Sequence, residues 1–203
     1  DRTWIATAHA VMTTGADVRL ADVDERGLLP EQSAFSIPVH LNGRHAKVPR
    51  GSIEDSCQSF PHPPSGLAAC YSFSTAKLIP TGQGGAVATR DEGFYRELLA
   101  LRTHDVPDAM VPEVLTWRRF GYNFRYTDLQ AAIGLVQLSR LKAKISRLHE
   151  IRALYTGTLP ESLTLLPADG VPLYTECLHP DPEPLRAYLL SKGIKARPFY
   201  PSL

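Results

Sequence analysis

The 203-residue chain is 43 % hydrophobic and 21 % charged, with a formal net charge of +1, so nothing electrostatic favours nucleic acid or an anionic membrane as partner. The length allows one good core in one or two domains, and Cys57, Cys70 and Cys177 are too few and too scattered for a disulfide framework or a zinc site. There is no apolar run of about 18 residues and no basic segment leading into an apolar one, so the expected location is the reducing cytoplasm.

The first predicted element is a helix over Trp4 to Thr14, with Ile5, Ala8, Val11 and Met12 on one face and Gly15 available to end it. Alternation through Val18, Leu20 and Val23 predicts a strand over 17–24. A second strand is expected from Phe35 to Leu41, turned by Asn42-Gly43, and a third from Gly51 to Asp55. Strands with intervening helices point to an α/β sheet whose functional residues sit at strand ends. The joins are short. Between Gly43 and Ile53 there is no room for a crossover helix, and Pro61-His62-Pro63-Pro64-Ser65-Gly66 fills much of the stretch before Tyr71.

Ala69 to Val87 then reads strand, turn, lysine, glycine-rich turn, strand. Such a turn can hold Lys77 at a sheet edge, with backbone N–H groups and hydroxyls facing an anion. Apolar neighbours would desolvate the amine and favour its neutral, nucleophilic form. Taken alone, the stretch fits a hairpin with a surface lysine equally well. Gly82-Gln83-Gly84-Gly85 is not a phosphate-binding P-loop, since no Gly-Lys-Ser/Thr follows.

Beyond Thr89 a helix is expected over Gly93 to Thr103, then a loop over 106–119 containing Trp117. A long helix follows, opened by a Thr127/Gln130 capping box and running to about Tyr155. Leu129, Ala132, Ile133 and Val136 line one side, continued by Leu138, Leu141, Ile145 and Leu148. Arg140, Lys142, Lys144 and Arg147 form a face expected to be solvated. The tail reads as a strand (Leu173 to Leu178), a helix (Pro184 to Lys192) ended by Gly193, and an extended end through Pro201. His40 and His104 pair with nothing at ligand or triad spacing and are expected to be structural.

Four segments in order, Pro38-Val39-His40-Leu41-Asn42-Gly43, Ser52 to Gln58, Ser72 to Gly85 and Phe120 to Ala132, resemble the DegT/DnrJ/StrS-type family of pyridoxal-phosphate sugar aminotransferases. The resemblance implies a fold type I, aspartate-aminotransferase-type mixed sheet flanked by helices. It also implies a cofactor-binding large domain over 1–156 and part of a small C-terminal domain over 157–203. The family's N-terminal Gly-Thr phosphate turn has no counterpart here.

Pyridoxal 5'-phosphate requires an amine, an acid for its ring nitrogen, a stacking surface and a phosphate cradle. By resemblance, Lys77 is the amine and proton carrier, and Asp55 partners the ring nitrogen. Ser72, five residues before Lys77, binds phosphate; Trp4 stacks on the ring; and Gln58 lies near the ring's hydroxyl edge. Asn123 reaches the phosphate of a neighbouring subunit, and Arg125 is a weaker candidate for a donor carboxylate. The implied reaction moves an amino group from glutamate or glutamine to a nucleotide-linked keto sugar. Lys77 argues against the dehydratase branch, which carries histidine there, while cyclitol aminotransferases remain compatible. Implied partners are a second copy or a longer homologue. The alternative expectation is a shortened, non-catalytic or half-active subunit that lends Asn123 and Arg125 to a full-length chain.

Overall fold

The computed structural model describes residues 2–30, 36–106 and 119–199; Phe35, Trp117 and the tail beyond Phe199 lie outside them. Helix α1 (Ile5–Met12) precedes three strands, β1 (Ile53–Asp55), β2 (Ala68–Ser72) and β3 (Gly85–Thr89), which form one sheet in that order. β1 and β2 run parallel, and β2 and β3 antiparallel. On the outer side of β1, the His40 N–H donates to the Asp55 carbonyl and the Asp55 N–H to the Pro38 carbonyl, each at 2.9 Å. A parallel bridge at Val39 thus adds a further row. Both parallel connections pass without a helix, as the short joins required.

The Asn42-Gly43 turn forms as expected, with positive φ at both residues and reciprocal hydrogen bonds between Leu41 and Arg44. The strand expected over 17–24 does not form: the segment ends in a tight turn in which Asp24 and Leu28 pair, and no described strand lies beside it. A strand exists only where a ladder partner takes its backbone groups. For the same reason 36–41 is reduced to isolated bridges.

Period-two alternation divides the functions of the two sheet faces. The register pairs Ile53 with Ala68, Glu54 with Ala69 and Asp55 with Cys70. Glu54, Ala69 and Tyr71 therefore share one face, and Asp55, Cys70 and Ser72 the other. Ala68 and Ala69 are wholly buried, as are Leu41 and Ile79 beside the sheet; burying an aliphatic side chain of Leu or Ile size contributes about 1.5–3 kcal/mol. Glu54 is wholly buried too. Its carboxylate accepts from His40 Nε2 (2.9 Å) and from the Ser65 and Gly66 N–H groups (2.7 and 2.6 Å).

Three histidines stack beneath this carboxylate, His45 on His62 at 3.9 Å and His40 edge-on to both. Burial, followed by the neighbouring His62 and His40, pushes His45 down to about 4 from the usual 6.5, and burial also lowers His62. Unfolding frees both rings to bind protons, so between pH 6.5 and about 4 the unfolded chain holds more protons than the folded one. Stability is therefore expected to be full above pH 6.5 and to fall steadily as pH drops towards 4. Urea midpoints at pH 7.5 and pH 5 measure this. His45→Gln should flatten the slope, and an unchanged slope would remove these rings as its cause.

Helix α2 (Glu92–Arg102) starts at Asp91, whose carboxylate accepts from the Phe94 N–H at 2.7 Å. The long helix is two: α3 (Asp128–Ser139) and α4 (Leu141–Thr158), separated at Arg140. The Thr127/Gln130 capping box is formed, worth about 1 kcal/mol. The expected apolar stripe of α3 does not face the described chain. Leu129 is 80 % exposed, Ile133 47 % and Val136 50 %, while Gly134 turns inward to approach Thr81. α4 packs by Leu141, Ile145 and Leu148 as anticipated, all half-buried.

Strands β4 (Thr164–Leu165) and β5 (Cys177–Leu178) pair antiparallel, and α5 (Pro182–Ser191) ends at Gly193, φ +76. β5 is shorter than predicted because the residues before it are used elsewhere. Glu176 accepts from Asn42 Nδ2 (2.8 Å) and from the buried Arg44 Nη2 (2.5 Å). The Gly43 carbonyl takes the Asp169 and Gly170 N–H groups. The tail is thus fastened to the turn beside the sheet. Among the described residues no helix is long and apolar enough to cross a membrane.

Candidate active site

Asp55 ends β1, and Ser72 ends β2 on the same sheet face. Both oxygens of the Asp55 carboxylate are held. Thr7 Oγ1 donates to Oδ2 at 2.6 Å, and the Cys57 N–H donates to Oδ1 at 3.0 Å. The first bond lays α1 across the face, so Trp4, the residue that opens α1, belongs to the same neighbourhood; the residue is 57 % exposed. The side of α1 turned inward carries Thr3, Thr7, Ala8 and Val11, whereas Ile5 and Met12, expected inside, are exposed. Gln58, one turn beyond Asp55, is buried.

Lys77 sits half-buried in the turn after β2, its backbone N–H bonded to the Ser74 carbonyl at 3.0 Å. Its ammonium reaches Cys57 electrostatically. Burial raises the Cys57 thiol, Asp55 adds to the rise, and Lys77 opposes it. Cys70, pushed up to about 11 chiefly by burial, is likewise held as the thiol. Lys77, Cys57 and Asp55 therefore form one electrostatic neighbourhood. Ser72 Oγ accepts a long bond from the Ser74 N–H (3.3 Å), so its hydroxyl proton can serve an anion.

Three elements brace the lysine turn from outside. Tyr126 bonds Thr81 through its hydroxyl and lays its ring on Gly84, where a Cβ would stand 2.4 Å from Cε2. Gly84 also has φ +116, so glycine is required twice over. Lys144 Nζ donates to the Leu78 carbonyl at 3.1 Å. That corrects its expected place on a solvated basic face: the long stem lets the ammonium reach back to the turn. Tyr174 donates to the Ala76 carbonyl at 2.9 Å, directly before Lys77.

Asn123 and Arg125 stand apart. Arg125 Nε donates to Asn123 Oδ1 at 3.0 Å on an exposed segment paired with Thr103 at the end of α2. This segment's link to the lysine turn runs through Tyr126. Among the described residues, His40, Glu54 and His62 could in principle ligate a metal, with ligand atoms within 4.8 Å of one another. The Ala46 N–H donates to His40 Nδ1, so the ring proton lies on Nε2 and goes to Glu54. Both ring nitrogens are committed, and the cluster serves to hold β1. His104 adopts a positive φ and donates its N–H to Tyr122, a backbone role. Sequence reasoning missed Thr7, Tyr126 and Tyr174. Thr7 had one signal, a hydroxyl one helical turn after Trp4 in a largely apolar run; the tyrosines had none.

A family model for DegT/DnrJ/EryC1/StrS aminotransferases matches residues 1–203. The GDP-perosamine synthase of Caulobacter vibrioides is 30 % identical over 185 residues, covering 77 % of this chain and 49 % of the relative. DesV of S. venezuelae superposes with a TM-score of 0.84 at 24 % identity, covering 99 % of this chain and 62 % of that one. CalS13 of Micromonospora echinospora, a sugar aminotransferase, gives 0.83 at 20 % identity, covering 95 % and 63 %. This chain spans about half the length of the curated relative and under two thirds of the solved ones. The architecture is the mixed α/β sheet of fold type I, and the chain belongs to the DegT/DnrJ/EryC1/StrS aminotransferase family.

Proposed function

We propose that this chain carries the catalytic face of a pyridoxal-phosphate aminotransferase that moves an amino group from glutamate or glutamine to a nucleotide-linked keto sugar. The observation that supports the reading is that Asp55 and Ser72 share one sheet face, with the helix that Trp4 opens tied to Asp55 through Thr7 and Lys77 within electrostatic reach of Cys57 beside Asp55. The donor set suits the cofactor: a carboxylate fixed at both oxygens, a hydroxyl able to donate to phosphate, an amine on a braced turn and an indole alongside. When bound, pyridoxal phosphate supplies an aldehyde that captures amines and a ring that withdraws electrons.

Each residue then has a defined task. Lys77 Nζ would hold the cofactor and would also carry the proton that the transfer moves. Asp55 would partner the ring nitrogen and favour its protonated form. Ser72 Oγ donates to phosphate, a charge-assisted bond, and Trp4 stacks. Buried Gln58 fits the ring's hydroxyl edge. Retention of this whole set supports an active chain over a non-catalytic partner. The sugar-nucleotide acceptor is supported by the relative that makes GDP-perosamine.

The exposed apolar stripe of α3 and the aromatic run Phe120, Tyr122 and Phe124 support a dimer. In that dimer Asn123, and with it Arg125, serves the partner's site. The cofactor assignment is tested by mixing the protein with pyridoxal phosphate, reducing with borohydride and mapping peptides. The label is expected on Lys77. A label elsewhere, or no visible band with excess cofactor, would sink the reading.

A further inference from the structure

We propose that Thr7 is the positioning residue of Asp55, fed in turn by Thr3, so that α1 sets the orientation of the acid as well as presenting the stacking indole. The inference rests on Asp55 facing the cofactor's ring nitrogen. Thr7 Oγ1 lies 2.6 Å from Asp55 Oδ2, and Thr3 Oγ1 lies 2.8 Å from Thr7 Oγ1. An ionised carboxylate only accepts, and a hydroxyl has one proton. Thr7 therefore spends its proton on Asp55 and accepts from Thr3, giving a directed chain from Thr3 through Thr7 to Asp55.

The spacing makes this chain a property of one helical turn. Thr3 and Thr7 are four residues apart and Trp4 and Thr7 three, so all three lie together at the start of α1. The β-branched threonine has few rotamers, which makes it a rigid donor. The second carboxylate oxygen is held by the Cys57 backbone N–H, a bond that side-chain substitution leaves in place. Without the Thr7 hydroxyl, Asp55 would keep one tether and could swing about it. Its aim at the ring nitrogen, rather than its presence, would be lost.

The test compares Thr7→Val, Thr7→Ala and Thr7→Ser with wild type, each loaded with pyridoxal phosphate. Losing one bond to a charged group should weaken cofactor affinity on the order of 10- to 100-fold and move the pH midpoint of the bound cofactor's visible band. Thr7→Ser should restore both, with urea midpoints close to wild type throughout. Thr3→Val should give a smaller shift in the same direction. Affinity and midpoint unchanged in both Thr7→Val and Thr7→Ala overturn the inference. Equal loss in Thr7→Ser and Thr7→Val also overturns it, since packing rather than the hydroxyl would then be responsible. Absence of the visible band in wild type defeats the cofactor reading itself, and this inference with it; a normal wild-type band with indifferent Thr7 variants defeats the inference alone.

Discussion

Glu54→Ala is expected to lower the unfolding free energy by about 3 kcal/mol or more, because it leaves three hydrogen-bond donors without their acceptor at about 1–3 kcal/mol each. The carboxylate is wholly buried and accepts three hydrogen bonds, from His40 Nε2 and from the Ser65 and Gly66 N–H groups. Truncation removes the acceptor of all three donors at once, and the His40 donor among them is wholly buried. The loop cannot move in to compensate, because Gly66 is already so tight against Ser52 that a Cβ there would stand 2.4 Å from its carbonyl oxygen. His40 cannot turn its proton elsewhere either, since the Ala46 N–H claims Nδ1. Against a total of roughly 5–15 kcal/mol for a domain, this loss is severe. Glu54→Gln keeps the shape and the acceptor for Ser65 and Gly66, but sets an amide N–H against His40 Nε2–H; the expected cost is about 1–3 kcal/mol. Urea unfolding at pH 7.5 measures both. A loss below about 1 kcal/mol for Glu54→Ala would mean that the network carries no more than one ordinary hydrogen bond.

The same residue shows where sequence reasoning stopped. Gly51 to Asp55 was legible as a strand ending in a carboxylate, and Ile53–Asp55 forms it. Alternation, however, buries Glu54 and leaves Ile53 exposed, since the face opposite Asp55 holds a polar network rather than aliphatic core. That network needs His40 from a distant segment, and long-range pairing leaves no local mark. The lysine turn was legible from its glycines and hydroxyls. Its braces were not, because Tyr126, Lys144 and Tyr174 arrive from three other elements. Thr127 and Gln130 announced their helix correctly, since a capping box is wholly local. The face that helix would bury was misjudged: a helical apolar stripe fixes which side avoids water, not whether the covering surface belongs to the same chain. In the strand expected over 17–24, alternation was present and a ladder partner was not.

A mixture of Lys77→Ala and Asn123→Ala chains is expected to recover function that neither variant has alone. The physical case begins with surface that should not face water. Leu129 and Leu135 on α3, with Phe120 and Phe124 before it, are all 69 % or more exposed. Exposed apolar side chains of this kind support the proposed dimer, in which the occupant that fits an isologous contact is a second copy of the chain. Asn123 lies within this surface, bonded to Arg125 and apart from the Lys77 set. A two-fold dimer would therefore carry Asn123 from one chain to the phosphate beside Ser72 of the other. Each hybrid dimer then has one site lacking both residues and one in which Lys77 and Asn123 are both intact. Random exchange at equal concentrations makes half the dimers hybrid, so about a quarter of wild-type sites should return, as two-fold symmetry dictates. Cofactor held between two chains also stabilises the dimer by mass action, so stripping it should promote dissociation in sedimentation. Hybrids that form yet show no more activity or cofactor retention than their parents would end the shared site, and a monomer that keeps its cofactor would end the dimer as well.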